Sequence, residues 1–543
     1  MLEDSLVTIG GQSFRDFIRK DIIYVDKTSY LADLIDNSRK RFFLARPGRF
    51  GKSLTVSTLE AIFSGEKELF KGLAVESRLR EKKFAPRPVI RLDMSATNAT
   101  DGIEKFVKSL NIVTAEAAER LDAAPPLDNP PAEILSSLIS ETYKKFNSKP
   151  VVLIDEYDSP VSYLLDKHQE AEKVRKILRE YYEILKINEK LISFCFVTGL
   201  TKFAHGGLFS SFKRFTDISL DHDFGAITGF TRRELENRYK KELDDTADRL
   251  DIPRKKLFEK MNQHYNGFCF DGRTVVYNPF SILLFLRKNE FLNYWYDAGV
   301  PYHLISFSKR SDFTIHELIN VKIEKERLQK PACEYQVDPA AYLYQIGFLR
   351  IRKSTSENIS VLDYPNLKVK TALARDILRR HFDSASKVER AYKSVEKALR
   401  GKDPELLMDV IDSMLSTNYR FIYNSQYPDG RSYSELIFNL FYALEMKPQS
   451  EKSYHSGNYE FVVKSGTRTW FTRVIMNRRN YDDKQLAERA LVRIKKKIST
   501  EVYKNPIILV IVFNNKNFTS SWWRCDGGIA AYPYEEKNYY NFV

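Results

Sequence analysis

Cysteine is scarce in this chain: four residues among 543, Cys195, Cys269, Cys333 and Cys525, none in a CxxC pair or beside a histidine at ligand spacing. That excludes a disulfide framework and a zinc module, and leaves reduced core thiols as the expectation. No apolar run reaches the roughly 18 residues that a membrane span needs. Met1-Leu2-Glu3-Asp4-Ser5 offers no basic leader or apolar stretch, so a cytoplasmic protein with no membrane segment is expected. Fixed-period repeats and low-complexity tracts are also missing. Hydrophobic residues make up 43% and charged residues 29%, which excludes a disordered chain. Acidic residues are the minority charge: the formal net charge is +14, with a pI near 9.2. Such a field favours polyanions, nucleic acid among them, although solvated basic faces account for the excess equally well.

A chain this long exceeds one ordinary core, and its texture divides it. Between residues 15 and 100, apolar runs (Ile22 to Val25, Arg41 to Ala45, Val89 to Leu92) alternate with helical pattern, including a helix from Lys52. Asp122 to Pro131 holds four prolines and reads as a loop between two helices. Two buried-type strands follow, Val151 to Ile154 and Ile192 to Val197, with a charged helix from Ala171 to Ile187 between them. The economical reading is a parallel sheet with crossover helices. Charged helices begin at Thr231 (Arg232 to Leu250, Arg254 to Gln263). Helical pattern returns from 368 to 425, broken at Gly401-Lys402-Asp403-Pro404. A last unit reads as a helix (Ser432 to Glu445), a hairpin (Tyr459 to Lys464, Thr469 to Ile475), a helix (Asp482 to Ile498) and a strand (Ile507 to Phe513). The expected domains are therefore 1–225, an α/β nucleotide-binding core; 226–370, a helical, winged-helix-like lid; 371–425, a helical connector; and 426–543, a small α/β domain.

Between the strand at Arg41 and the helix at Lys52 lies Arg46-Pro47-Gly48-Arg49-Phe50-Gly51-Lys52-Ser53, followed by Leu54. A strand, a glycine-bearing loop and a helix N-terminus together aim free N–H groups and the helix dipole at one point, which suits a polyphosphate. Lys52 is placed to reach the β- and γ-phosphates and Ser53 to hold Mg²⁺. The strict G-x-x-x-x-G-K-[ST] pattern has glycine where this chain has Arg46. Val151-Val152-Leu153-Ile154-Asp155-Glu156 supplies the complement: Asp155 at a strand tip for the metal and Glu156 to polarise the attacking water. A further strand ends in Thr198-Gly199, making Thr198 the first candidate to sense the γ-phosphate and Lys202 the second. Lys213 and Arg214 are either charge donors to the transferred phosphoryl group or exposed loop residues.

Several phrases together resemble one family, the AAA-ATPase-like proteins that carry a carboxy-terminal PD-(D/E)xK nuclease-type domain. They are Tyr24-Val25-Asp26-Lys27-Thr28, the loop from Arg46 to Ser53, Ile154-Asp155-Glu156-Tyr157-Asp158-Ser159-Pro160, Thr198-Gly199-Leu200-Thr201-Lys202, Tyr277-Asn278-Pro279-Phe280-Ser281, Leu343-Tyr344-Gln345-Ile346-Gly347-Phe348-Leu349 and Tyr364-Pro365-Asn366. The resemblance implies a P-loop NTPase sheet, ATP and Mg²⁺ as ligands, Arg46-Pro47 as a family trait of the loop, and Asp26 and Lys27 beside the nucleotide.

It also implies a terminal domain with an acid on one strand and Glu-x-Lys on the next, so that carboxylates hold a metal and a lysine activates water. Here Gly457-Asn458-Tyr459-Glu460 stands at the first place, but Thr469-Trp470-Phe471-Thr472-Arg473-Val474-Ile475 offers neither acid nor lysine. Arg493 and Ile498 stand where a glutamine and a tyrosine are expected, and Glu435 matches a frequent family acid. The expectation is a retained fold without cleavage. Arg473, Arg478, Arg479, Arg489, Arg493, Lys495, Lys496 and Lys497 are candidates for phosphate contact. As a whole, the sequence points to a Mg²⁺-dependent ATPase coupled to a degenerate nuclease-like module. A nucleotide-gated switch with negligible turnover and an ATP-dependent nuclease are the alternatives.

Overall fold

The computed structural model describes residues 13–80, 85–162, 164, 167–202, 214–297, 318–329, 338–355, 358–379, 385–401, 403–417, 431–444, 449–451, 459–465, 468–477, 481–498, 506–514, 519–526 and 532–538. The chain forms two compact units, Met1–Val369 and Lys370–Val543.

The first unit is built on a parallel sheet of β1 (Arg41–Ala45), β2 (Val89–Asp93), β3 (Val151–Asp155), β4 (Phe194–Gly199) and β5 (Thr216–Asp217), in the order β2-β3-β4-β1-β5. Its central strands are apolar at every second and every intervening place, because both faces are covered. Phe43, Ile90, Leu92, Val152, Ile154, Cys195 and Val197 enter one core with the helices Ile103–Glu119, Pro131–Phe146 and His168–Ile187. Phe42, Leu44, Val151, Leu153, Phe194 and Phe196 enter the other, with Thr28–Asp36 and Lys52–Phe63. The α/β core with a parallel sheet is thus as the sequence indicates. The proline-bearing loop after Asp122 does join two helices, the second starting at Pro131. One run reads differently: Ile22 to Val25 makes no strand but is irregular chain, and Tyr24 and Val25 are buried in separate clusters.

The remainder of the first unit begins with helices Arg232–Arg238, Lys240–Arg249 and Arg254–His264. A short hairpin follows, β6 (Phe268–Cys269) with β7 (Val275–Val276), and then the helix Pro279–Lys288. Asn278 caps that last helix through its side chain, accepting from Ser281 N at 2.8 Å, and Pro279 occupies the first turn, where a missing N–H costs nothing. An antiparallel sheet of β8 (Val321–Glu324), β9 (Arg350–Ser354) and β10 (Ile359–Asp363), ordered β8-β10-β9, completes it.

The second unit contains the helices Ala385–Gly401, Pro404–Thr417 and Arg431–Ala443, then a sheet in simple order, β11 (Gln449–Glu451), β12 (Tyr459–Ser465), β13 (Arg468–Asn477), β14 (Pro506–Asn514), β15 (Thr519–Asp526) and β16 (Tyr532–Asn538). All neighbours are antiparallel except β13 and β14, which the crossover helix Asp483–Ile498 makes parallel. That helix buries Ala487, Ala490, Leu491 and Ile494 on Phe471, Ile475, Ile508 and Val510.

Candidate nucleotide site

The loop between β1 and the helix Lys52–Phe63 sits at the carboxyl end of the sheet, where strand order makes open α/β sheets receptive to ligands. Its curvature needs two left-handed residues, Arg49 (φ +64°) and Gly51 (φ +96°), the second directly before the helix. Only Gly adopts the latter without cost. Lys52 is buried; its ammonium donates back to the carbonyls of Arg46 (3.1 Å) and Pro47 (3.3 Å) and pairs with Glu156 Oε1 at 3.0 Å. The P-loop lysine and the candidate base, distant in sequence, are therefore neighbours.

Strand order explains how. Because β4 stands between β1 and β3, Thr198 lies between the loop and Asp155. The Thr198 hydroxyl donates to Asp155 Oδ1 at 2.6 Å, while Asp155 Oδ2 is buried and has no hydrogen-bond partner among the described residues. Burial pushes the Asp155 carboxyl above the ordinary range, against hydrogen bonds from Thr198 and Ser53 and the charge of Lys52. A buried, unpartnered carboxylate oxygen beside a serine hydroxyl is a donor set that fits a hard divalent cation, so Ser53 and Asp155 can hold one. Glu156 turns out of β3 with φ +51°, a conformation a non-glycine residue holds only when its surroundings enforce it.

A cavity of about 580 Å³ opens over this point. Its polar lining includes Lys52, Ser53, Thr55 and Glu156, with Arg91 and Asp93 of β2, and its apolar lining includes Ile23, Val25, Leu54, Ile227, Phe230 and Phe280. Lys27 lines the wall but is committed to Glu234, at 2.6 and 2.8 Å. Asp26 faces its own turn: it accepts from Thr28 N (2.8 Å), Thr28 Oγ1 (2.7 Å) and Ala74 N (2.8 Å).

Two residues singled out from the sequence point elsewhere. Arg46 occupies the glycine place of the strict motif, yet its guanidinium is 1% exposed and turned inward. It donates to the carbonyls of Ala45 (3.0 Å), Ser219 (2.6 Å) and Phe224 (3.4 Å) and lies 4.4 Å over the Phe270 ring. Desolvation lowers its pKa to about 10. Lys202 is equally buried and paired with Asp217, and its N–H donates to Gln345 Oε1 at 3.0 Å. Their side chains therefore support the loop and the strand tip from behind and do not line the cavity. Arg214 is exposed and paired with Glu189; Lys213 lies outside the described residues.

Residues that close round the loop from the second half of this unit have no role legible from their spacing. Trp295 Nε1 donates to Gly48 O at 3.2 Å, Asn278 Nδ2 to Arg49 O at 3.4 Å, and Arg49 lies 4.3 Å over Phe280. Phe50 packs edge-on against Phe268 and Phe270. Asn278, Phe280 and Gln345 belong to phrases visible in the sequence, but no spacing rule connects them to Gly48.

In the second unit, Glu460 of β12 faces Arg473 of β13 in register and pairs with it at 3.4 Å. Burial lowers the pKa of Arg473, with Glu460 opposing that effect and Arg493 adding to it. Arg489, Arg493 and Lys496 are exposed on the crossover helix, and Lys495 is half-buried. The side chains of Glu435 and Lys497, together with Gly457, Asn458, Arg478 and Arg479, lie outside the described residues.

Residues 8–209 match a family model described as "Predicted AAA-ATPase". Over 464 residues the chain is 28% identical to a protein of Azotobacter chroococcum mcd 1 described as "Uncharacterized protein in vnfD 5'region", with 84% of this chain and 86% of that protein aligned.

Proposed function

From the premise that residues 8–209 are AAA-ATPase-like, we propose that this chain binds ATP with Mg²⁺ in the cavity over Lys52 and hydrolyses it. One observation carries the reading: Lys52, Ser53 and Glu156 line one cavity that also has apolar walls, and Asp155, whose Oδ2 has no hydrogen-bond partner among the described residues, lies beside Ser53 and Lys52. In this reading the backbone N–H groups of 48–53 and the Lys52 ammonium hold the polyphosphate, and the apolar lining takes the base. Ser53 and Asp155 would hold Mg²⁺, which would supply charge neutralisation at the phosphate oxygens. Thr198 fixes the orientation of Asp155. Glu156 leaves its pairing with Lys52 when phosphate replaces it, and is then free to accept a proton from water. Trp295, Asn278 and Gly347, touching the loop from residues 231–369, pass its position into the helical region.

For the second unit the proposal is a degenerate nuclease-like module that responds to nucleotide state. Its support is the order helix, three antiparallel strands, crossover helix, parallel strand. At the catalytic place, Glu460 is paired with an arginine in register and no metal-ligating acid stands on β13.

Turnover of ATP by the purified chain tests the ATPase reading. Lys52→Ala should lower it by about 10²- to 10³-fold, and Glu156→Gln should stop turnover while ATP still binds. Undiminished hydrolysis in both variants would sink the proposal. Single-turnover measurement separates it from a switch that binds without hydrolysing, a reading the Lys52–Glu156 pair also accommodates.

A further inference from the structure

Two places after the candidate base stands an acid with no role so far. Asp158 is fully buried, and both its carboxylate oxygens are given to one short segment. Leu200 N donates to Oδ1 at 3.0 Å and to Oδ2 at 3.1 Å, while Oδ2 also accepts from Thr201 N at 2.7 Å and from the Thr201 hydroxyl at 3.0 Å. The same two segments are joined on either side of it. Tyr157 N donates to Thr198 O at 2.9 Å, Tyr157 Oη to Thr201 O at 2.9 Å, and Glu156 N to Thr198 Oγ1 at 3.4 Å. Between them Gly199 leaves no room: a Cβ there would fall 2.4 Å from the Tyr157 ring and 2.6 Å from Asp158 Oδ1. From the far side, Tyr182 Oη donates to Tyr157 O at 2.9 Å.

We propose that Asp158 is a positioning residue for ATP hydrolysis: it clasps residues 198–201 against the 155–158 turn, so that Thr198 and Glu156 move only as one body. The proposal rests on the ATPase reading above. Its logic is one of acceptors. Three donors from a single segment converge on a carboxylate with no cation in the clasp among the described residues; all three reach Oδ2 and Leu200 N also reaches Oδ1, so an amide with its oxygen at Oδ2 sets its NH2 against the Leu200 N–H, donor facing donor. Burial and the nearby Glu156 charge both disfavour ionising this carboxyl, so its retention costs stability that packing alone would not require. What the clasp secures is the atom next along: Thr198 holds Asp155 Oδ1, which leaves Oδ2 as the oxygen free for a cation. It also holds the backbone of Glu156 in its left-handed conformation, and with it the direction of that side chain. Slack between the segments would misplace both groups at once while the phosphate-binding loop stayed intact.

The experiment uses the full chain. Asp158→Asn, which keeps the shape, and Thr201→Val, which keeps Asp158 and removes one donor, are compared with Lys52→Ala. Single-turnover hydrolysis of ATP and equilibrium binding of ATP with Mg²⁺ are measured on each. The expected result is hydrolysis slowed by about 10- to 100-fold in Asp158→Asn and less in Thr201→Val, with ATP affinity changed by no more than about twofold. A merely structural role would lower affinity and rate together or change neither, and either pattern overturns the proposal. If Asp158→Asn does not fold, Thr201→Val decides by the same criterion. An inactive Lys52→Ala beside a fully active Asp158→Asn refutes this inference alone. A fully active Lys52→Ala refutes the ATPase reading and the inference with it.

Discussion

Gly347 offers a direct test of whether the phosphate-binding loop is shaped from behind. Its φ of +90° is one that alanine adopts only at a cost of about 1–2 kcal/mol. In addition, a Cβ there would lie 2.6 Å from Pro47 Cγ and 2.8 Å from Pro47 Cβ, with Trp295 Cζ2 next at 3.4 Å. A proline ring cannot rotate aside, so relief has to come from the backbone at Pro47 or the turn at 347, adding about 1–3 kcal/mol. Gly347→Ala should thus destabilise the first unit by about 2–5 kcal/mol. Gly72→Ala provides the control: Gly72 has φ +79° but no atom within 4 Å of a Cβ, so only the backbone cost of about 1–2 kcal/mol applies. Urea denaturation of both variants, followed by circular dichroism, measures the difference. Equilibrium binding then asks whether the strain reaches the loop; distortion there of roughly 1.4 kcal/mol weakens ATP about tenfold. Equal denaturation midpoints for the two variants would refute the steric argument. Lower stability in Gly347→Ala with unaltered ATP affinity would refute the connection between this turn and the loop.

Three further outcomes follow from the geometry. Arg46→Gly, which restores the strict loop motif, should not improve ATP binding; it leaves the buried Ser219 carbonyl without its donor and the Phe224 carbonyl with Ile227 N–H alone, and should cost about 1–3 kcal/mol in thermal or urea unfolding. Asp158 has its pKa pushed up to about 6, mainly by burial, with Glu156, Tyr182 and Tyr342 the other titratable groups around it. Because the folded pKa is raised, the stabilising contribution is complete below the ordinary carboxyl pKa and is lost as pH rises through about 6. Wild type should therefore lose about 2 kcal/mol relative to Asp158→Asn between pH 4 and pH 7, read as a pH series of urea midpoints. Chelation of divalent cations should abolish hydrolysis, and Ser53→Ala should raise the Mg²⁺ concentration needed for half-maximal turnover; an unchanged Mg²⁺ requirement would remove Ser53 from the metal set.

Much of the first unit was legible because its strands are short, apolar and bounded by strong signals. Arg41 to Ala45 and Val151 to Ile154 could hardly be anything else, and Pro131 marks a helix start. Ile22 to Val25 has the same apolar texture but makes no strand; its side chains are divided between two clusters, and periodicity cannot reveal which neighbours a segment will find. At the candidate site, motif spacing singled out Lys52, Ser53, Asp155 and Glu156 but said nothing of side-chain direction. Arg46 and Lys202 carry charges that suit phosphate, and both are held instead by groups distant in sequence, Ser219 and Phe224 for one, Asp217 for the other. Asp158 was visible only as a letter in a phrase. Its partners, Leu200 and Thr201, become neighbours only once β3 and β4 pair.

The inward turn of Arg46 also bears on how the protein comes to be made. The loop from Arg46 to Ser53 cannot be finished when its own residues have been synthesised, nor when β1 to β5 have paired. Its arginine needs the carbonyls at 219 and 224 and the ring at 270, and its backbone is held by Asn278 and Trp295. On the ribosome, the loop therefore stays unsupported until residue 295 has emerged, and a nascent chain halted before residue 219 would expose an arginine whose partners at 219, 224 and 270 are still to be translated.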